Sequence, residues 1–205
     1  SEMCIRDRIK GIRMANTNAP FGLKPIGKLG SGYNSTGTTE YDILTGTTGT
    51  IYTGDPVKMV STGGIAVAAA GDLLLGVFQG CQFTDSSGDK IFSPVWTTLT
   101  ATSDCKAAVV DDPDVLFEVQ SAATGSLTQT EVGLNGDIVY AAGSDITGMS
   151  SVKLSGTMAT TSAQLRIMGY TKDPSNNALG TGSLSTNANM IVRIDEHFNR
   201  TAAGV

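Results

Sequence analysis

The chain has 205 residues, of which 40% are apolar, 6% aromatic and 16% charged, with a formal net charge of −5. This apolar share is enough for a core, and the length allows one large β domain or two small ones. Few charges and much Thr, Ser, Asn and Gly favour strands and turns over helices. No run of about 18 uninterrupted apolar residues is present to span a membrane as a helix.

Residues 1–13 stand apart from the rest. Ser1-Glu2-Met3-Cys4-Ile5-Arg6-Asp7-Arg8 resembles the translation of a transposon-library adapter, and Ile9 to Arg13 read as upstream sequence, which makes Met14 the expected start. A basic targeting peptide is the alternative, but no apolar stretch follows the basic residues. This segment holds four of the fourteen basic residues and two of the nineteen acidic ones, so the remainder carries a net charge of −7. A net-negative domain without a basic cluster repels phosphate backbones, which argues against nucleic-acid binding.

Residues 14–39 read as an extended arm. Pro20, Pro25 and the glycines at 22, 27, 30, 32 and 37 interrupt any helix or strand period between Phe21, Leu23, Ile26 and Leu29. Those apolar residues predict that the arm lies on something, either its own domain or a neighbour. From residue 40 the pattern is β. Glu40–Leu44, Pro56–Val60 and Ile65–Val67 alternate or nearly so, with Gly63-Gly64 forming a hairpin turn. Leu73–Phe78 reads as a short buried strand. Phe83, Ile91-Phe92, Val95-Trp96 and Val115–Val119 supply more, closing a β subdomain over 40–122.

A second β subdomain spans 128–198 and echoes the first. Gly54-Asp55-Pro56-Val57 returns as Gly136-Asp137-Ile138-Val139, and Leu74–Phe78 as Leu165–Tyr170. Each half closes on a strand, Leu116–Val119 in one and Met190–Ile194 in the other. An internal duplication and a single barrel with a shared turn vocabulary both fit. Ala159–Arg166 is the best place for a short helix, and residues 199–205 form a C-terminal tail. The expected class is all-β, a compact barrel or sandwich of many short strands preceded by an arm.

Few residues suggest chemistry. His197 is the single histidine, in Asp195-Glu196-His197; alternate side chains on a strand face opposite ways, so a solvated strand end or an interface contact is favoured over a metal site. Asp111-Asp112-Pro113-Asp114 is dense enough in carboxylates for Ca²⁺, but Pro113 breaks the spacing and a solvated turn is favoured. Cys81 and Cys105 sit outside any CxxC pair and read as small apolar residues, with a disulfide between them as the alternative. Gly180-Thr181-Gly182 lacks the Lys-Ser/Thr of a phosphate cradle. Trp96 is read as core rather than a sugar platform. No catalytic residue, metal or cofactor is expected.

Met14–Pro25 resembles the N-termini of small structural proteins of marine tailed phages. The block Gly54-Asp55-Pro56-Val57-Lys58, Gly63–Asp72 and Leu75-Gly76-Val77 is similar to the recurring element of phage head-decoration proteins, in which a G-D-x-V strand, a glycine hairpin and an A-G-D-x-x-x-G-V strand build a compact β-barrel. The resemblance implies a non-enzymatic capsid cement protein on the outside of a phage head. Its partner would be the major capsid protein, its own state a homo-oligomer, with a trimer expected, and it would be assembled in the host cytoplasm. The arm residues Phe21, Leu23, Pro25 and Ile26 are the candidate partner contacts. A tail or fibre module, or a glycan-binding β domain with aromatics around Trp96 or Tyr140, is the alternative.

Overall fold

A computed structural model describes residues 16–30, 37–44, 46–98, 104–124, 127–172, 176, 184 and 186–201. The adapter-like segment 1–13, the Gly180–Gly182 loop and the last four residues of the tail lie outside the described residues. Among the described residues, fifteen short strands make up the fold. The arm supplies β1 (Lys24–Lys28). The first half follows with β2 (Thr39–Asp42), β3 (Thr50–Tyr52), β4 (Pro56–Met59), β5 (Ile65–Val67), β6 (Gly76–Thr84), β7 (Lys90–Ser93), β8 (Val95–Thr97) and β9 (Lys106–Val110). The second half contributes β10 (Val115–Gln120), β11 (Asn135–Gly136), β12 (Ile138–Val139), β13 (Lys153–Leu154), β14 (Leu165–Tyr170) and β15 (Asn189–Ile194).

These strands form antiparallel sheets packed as a sandwich, with no closed barrel. One sheet has the order β2-β9-β6-β4-β5, with β7 paired to the far end of β6; the other has the order β1-β10-β15-β14-β11. Two ribbons, β3–β8 and β12–β13, accompany them. The two large sheets share a plan. In each, the first strand of the half lies beside the last, and the last lies beside a long strand carrying a bulge. The bulges fall between Phe78 and Gly80 and between Ile167 and Gly169. This register aligns Phe78-Gln79-Gly80 with Ile167-Met168-Gly169, four residues away from the match that the glycines at 76 and 169 suggest.

The halves meet earlier than the sequence pattern suggests. Val115–Val119, read as the closing strand of the first subdomain, pairs with β15, Leu116 opposite Arg193 and Gln120 opposite Asn189. Its inward residues Val115, Phe117 and Val119 are fully buried with Leu165, Ile167, Met190 and Val192 of the second half. The crossover between halves is therefore Asp111–Asp114. Strand β9 was invisible to the pattern because Ala107 and Ala108 carry little β preference, yet it pairs with both β2 and β6. Residues 159–164 form bends instead of a helix. Asn135 and Ala159 exchange backbone hydrogen bonds of 2.9 Å, and the buried Gln164 amide donates to the carbonyls of Ala69 and Asp72.

Two apolar clusters hold the fold. The first-half cluster joins Phe78, Cys81, Phe83, Ala107 and Val109 of the sheet to Ile51 and Trp96 of the β3–β8 ribbon. The second gathers β10, β14 and β15 under Ile138, Val152 and Leu154, and it also takes in Ala68, Leu74, Val77 and Val110 from the first half. One core therefore spans both halves. Gly76 permits this packing: a Cβ there would stand 2.2 Å from the Val110 carbonyl oxygen.

Of the two settings open to the arm, residues 16–30 occupy their own domain. Pro25 and Gly27 bracket a register shift in β1, which still pairs with β10 along Lys24–Lys28. The Leu23 amide donates to the Gly54 carbonyl at 2.9 Å, and Gln120 holds the Thr17 carbonyl and the Ala19 amide. At this crossing a Cβ on Gly22 would come within 2.4 Å of the Gly54 carbonyl oxygen. Leu23 is fully buried in the shared core. Replacing Leu23 with Ala should therefore cost about 2–5 kcal/mol in denaturant unfolding, as for other buried leucines. A loss under about 0.5 kcal/mol, the scale of a surface change, would show an arm merely resting on the domain.

Candidate functional site

The residues most capable of chemistry are engaged by the fold itself. Asp111 accepts from the Tyr41 hydroxyl at 2.7 Å and from the Thr39 hydroxyl at 2.9 Å. Asp112 is paired with Lys28 and accepts the Asp114 amide at 2.8 Å, while Asp114 is paired with Arg200. The Lys28 ammonium holds the Asp112 carboxyl below its ordinary range. Burial, reinforced by Asp111, pushes the Tyr41 phenol above its ordinary value. The run is the expected half-exposed turn, at Pro113-Asp114, and its carboxylates also tie the crossover to its neighbours.

His197, expected at a solvated strand end, is fully buried. The Leu74 amide donates to the Glu196 carbonyl and the Phe198 amide to the Leu74 carbonyl, which bonds the segment around His197 to the first half. Its Nδ1 accepts from the Asn199 amide at 3.1 Å and caps a 3-10 turn over Phe198–Arg200. Burial pushes the imidazole below its ordinary value, against the pull of Asp111. Its Nε2 is buried without a hydrogen-bond partner among the described residues. Cys81 and Cys105 are free and buried. The adjoining Cys105 sulfur, together with burial, pushes the Cys81 thiol above its ordinary value. Among the described residues, no group of three or more His, Cys, Asp or Glu side chains is placed to hold a metal ion.

The two acidic motif positions also serve the fold. Asp55 of Gly54-Asp55-Pro56-Val57 is fully buried, and its Oδ2 accepts the Tyr52 amide at 2.9 Å. Asp137, its echo, accepts the Gln164 amide at 3.2 Å. Asp72 closes its turn by accepting the Ala69 amide and the Lys58 ammonium, both at 2.8 Å.

Surface candidates divide differently. Leu23 belongs to the core, Phe21 and Pro25 are half-buried, and Ile26 is exposed on β1. Trp96 is buried, whereas Tyr140 keeps part of its ring outside. The most exposed apolar side chains were not singled out from sequence: Ile146 is 96% exposed and Phe92 77%. Ile146 tips a turn closed by the Gly148 amide on the Ser144 carbonyl at 2.8 Å and the Ser144 amide on the Met149 carbonyl at 3.0 Å. The Ser144-Asp145-Ile146-Thr147-Gly148 string has turn chemistry around one isolated apolar residue, which is the signal that could have found it.

Phe92 rises from β7 beside an open trough of about 410 Å³ across the first sheet, lined by Glu40, Gln79, Gly80, Gln82, Lys106 and Ala108 among others. A smaller depression of about 220 Å³ continues it past Gln82 and Lys106 to Phe83, Lys90 and Asp104. No family model matches the chain, and neither a curated protein nor a solved structure does.

Two outcomes follow from these assignments. Millimolar Ca²⁺ should leave the melting temperature unchanged, since a bound cation would raise it; a clear rise would show carboxylates free to ligate. Burial raises the Asp55 pKa, so its contribution is full below the unfolded value of about 3.9 and is lost as pH rises through the folded value. Asp55→Asn should therefore gain stability relative to the native chain between pH 3 and 7. A pH-independent difference in unfolding free energy would contradict this.

Proposed function

We propose that the chain is a non-enzymatic adhesion module of a virus particle, a homo-oligomeric decoration protein that binds the major capsid protein on the outer surface of a phage head. The resemblance of its glycine-aspartate blocks to decoration proteins supports this reading. So does the surface, where apolar side chains are held in water on firm supports. Ile146 carries most of the argument. A hydrogen-bonded turn holds it 96% exposed, so its side chain is free to be buried against another surface.

Burying such a side chain against a partner contributes roughly 1.5–3 kcal/mol before ordering costs. A modest contact of this size is multiplied when it repeats over a symmetric shell. Ile26 and Leu29 add a second contact region along β1, the outermost strand of its sheet, which is also open to strand addition by a neighbour.

Phage heads assembled from the proposed partner, a major capsid protein, and lacking this chain provide the test. The native chain should co-sediment with them, and Ile146→Ser should weaken binding about tenfold, equivalent to about 1.4 kcal/mol, with its melting temperature preserved. Failure of the native chain to bind, or undiminished binding by the Ile26→Ser, Ile146→Ser double variant, would overturn the proposal. Retention on tails instead of heads would assign the module to the tail.

A further inference from the structure

The trough beside Phe92 uses residues separate from Ile146 and Ile26, and its inference goes beyond capsid attachment. Its shape follows from the strand register. Phe92, Gln82, Lys106 and Asp42 stand in one row across β7, β6, β9 and β2. The adjacent row runs Gly80, Ala108, Glu40. Rows on one face of a sheet recur every two residues, about 7 Å apart. A tall row therefore borders a flat one, whose floor is a glycine and an alanine, with Pro94 and Ser93 at one end and Glu40 at the other.

The bulge at Gln79 produces this arrangement. It turns Gly80 and Gln82 to the outer face while Cys81 and Phe83 stay in the core. The same face is covered by the second half at Val77 and Val110, then lies open from Gly80 and Ala108 onward.

The lining specifies the occupant's chemistry. Phe92 stands 77% exposed beside a floor without bulky side chains, which leaves room for a ring on the floor against it. Around it, Gln82 donates to Glu40 at 3.0 Å, which leaves further lone pairs and amide protons for a ligand. Hydroxyl groups, which both donate and accept, match such a mixture. The charged side chains at the two depressions nearly balance, Glu40, Asp104 and the neighbouring Asp42 against Lys90 and Lys106, and Asp42 already pairs with Lys106, which favours a neutral ligand over a phosphate.

A docking strand is disfavoured, because Lys90 and Pro94 bracket the short free edge of β7. The first depression alone falls within the size range of small-molecule sites, about 300–1,000 Å³, and the second extends it for a longer chain. We infer that this face binds a neutral oligosaccharide, with one sugar ring on the Gly80–Ala108 floor against Phe92 and its hydroxyls bonded to Gln82 and Glu40.

The full chain, applied to an array of neutral hexose and N-acetylhexosamine oligosaccharides with sulfated and sialylated glycans as controls, tests this. It should retain at least one neutral glycan. Phe92→Ala should weaken that binding at least about tenfold, as for an aromatic anchor, and Ala108→Leu, which fills the floor, should abolish it. Both variants should keep the native melting temperature and the native binding to heads, so this inference and the attachment reading fail separately. Retention of no neutral glycan, retention of anionic glycans alone, or equal binding by both variants would overturn it. Self-association lost in Phe92→Ala without any glycan retained would assign the face to a second copy and overturn it as well.

Discussion

The four-residue crossover Asp111–Asp114 is the constraint on which the arrangement depends. It carries the chain from β9 of one sheet to β10 of the other, and three further segments are tied to it. The arm arrives through Lys28 and through the Leu29 amide, which donates to the Asp114 carbonyl at 2.8 Å. The edge of the first sheet arrives through Thr39 and Tyr41, and the C-terminal turn through Arg200. Individually these exposed or half-exposed contacts are worth about 0–1 kcal/mol. Their importance lies in position. Val109 and Val110 just before the crossover and Val115 and Phe117 just after it are buried, so the ties hold the point where two apolar faces are forced together.

Much of the β character was legible because it depends on local chemistry. Alternation and glycine turns marked β4, β5, β14 and β15, and the Gly63-Gly64 hairpin pairs Met59 with Ile65 as its turn requires. What escaped was decided by distant contacts. Lys106-Ala107-Ala108-Val109-Val110 has a weak local preference and becomes a central strand only because β2 and β6 flank it. Pro25 and Gly27 conceal β1 for the same reason, since its pairing is dictated by β10. The polar character of His197 suggested exposure, but its backbone is drawn inward by Leu74, and the ring follows. Ile91 and Phe92 were legible as strand residues, yet no period tells that their strand covers only one end of β6 and leaves a ring in water.

The same distinction separates the glycine-aspartate motifs of this chain from its proposed contact surface. Gly54-Asp55 and Gly71-Asp72 are explained by turn closure, and Gly76 by the approach of Val110. Such motifs report how a small β unit folds, and folds of one kind host many activities. The proposed partner and ligand contacts lie elsewhere, on Ile26, Phe92 and Ile146, at positions the motifs do not include. A platform at Trp96 is closed off because the β3–β8 ribbon buries that ring, which leaves Phe92 as the aromatic available on the first sheet.

If one core and one crossover bind both halves and the arm into a single body, the chain must unfold as a unit. Scanning calorimetry of the intact chain measures this directly. A single reversible transition whose calorimetric and van't Hoff enthalpies agree is the predicted result. Two separable transitions, or a van't Hoff enthalpy near half the calorimetric one, would mean that the halves stand alone and that the crossover merely links them.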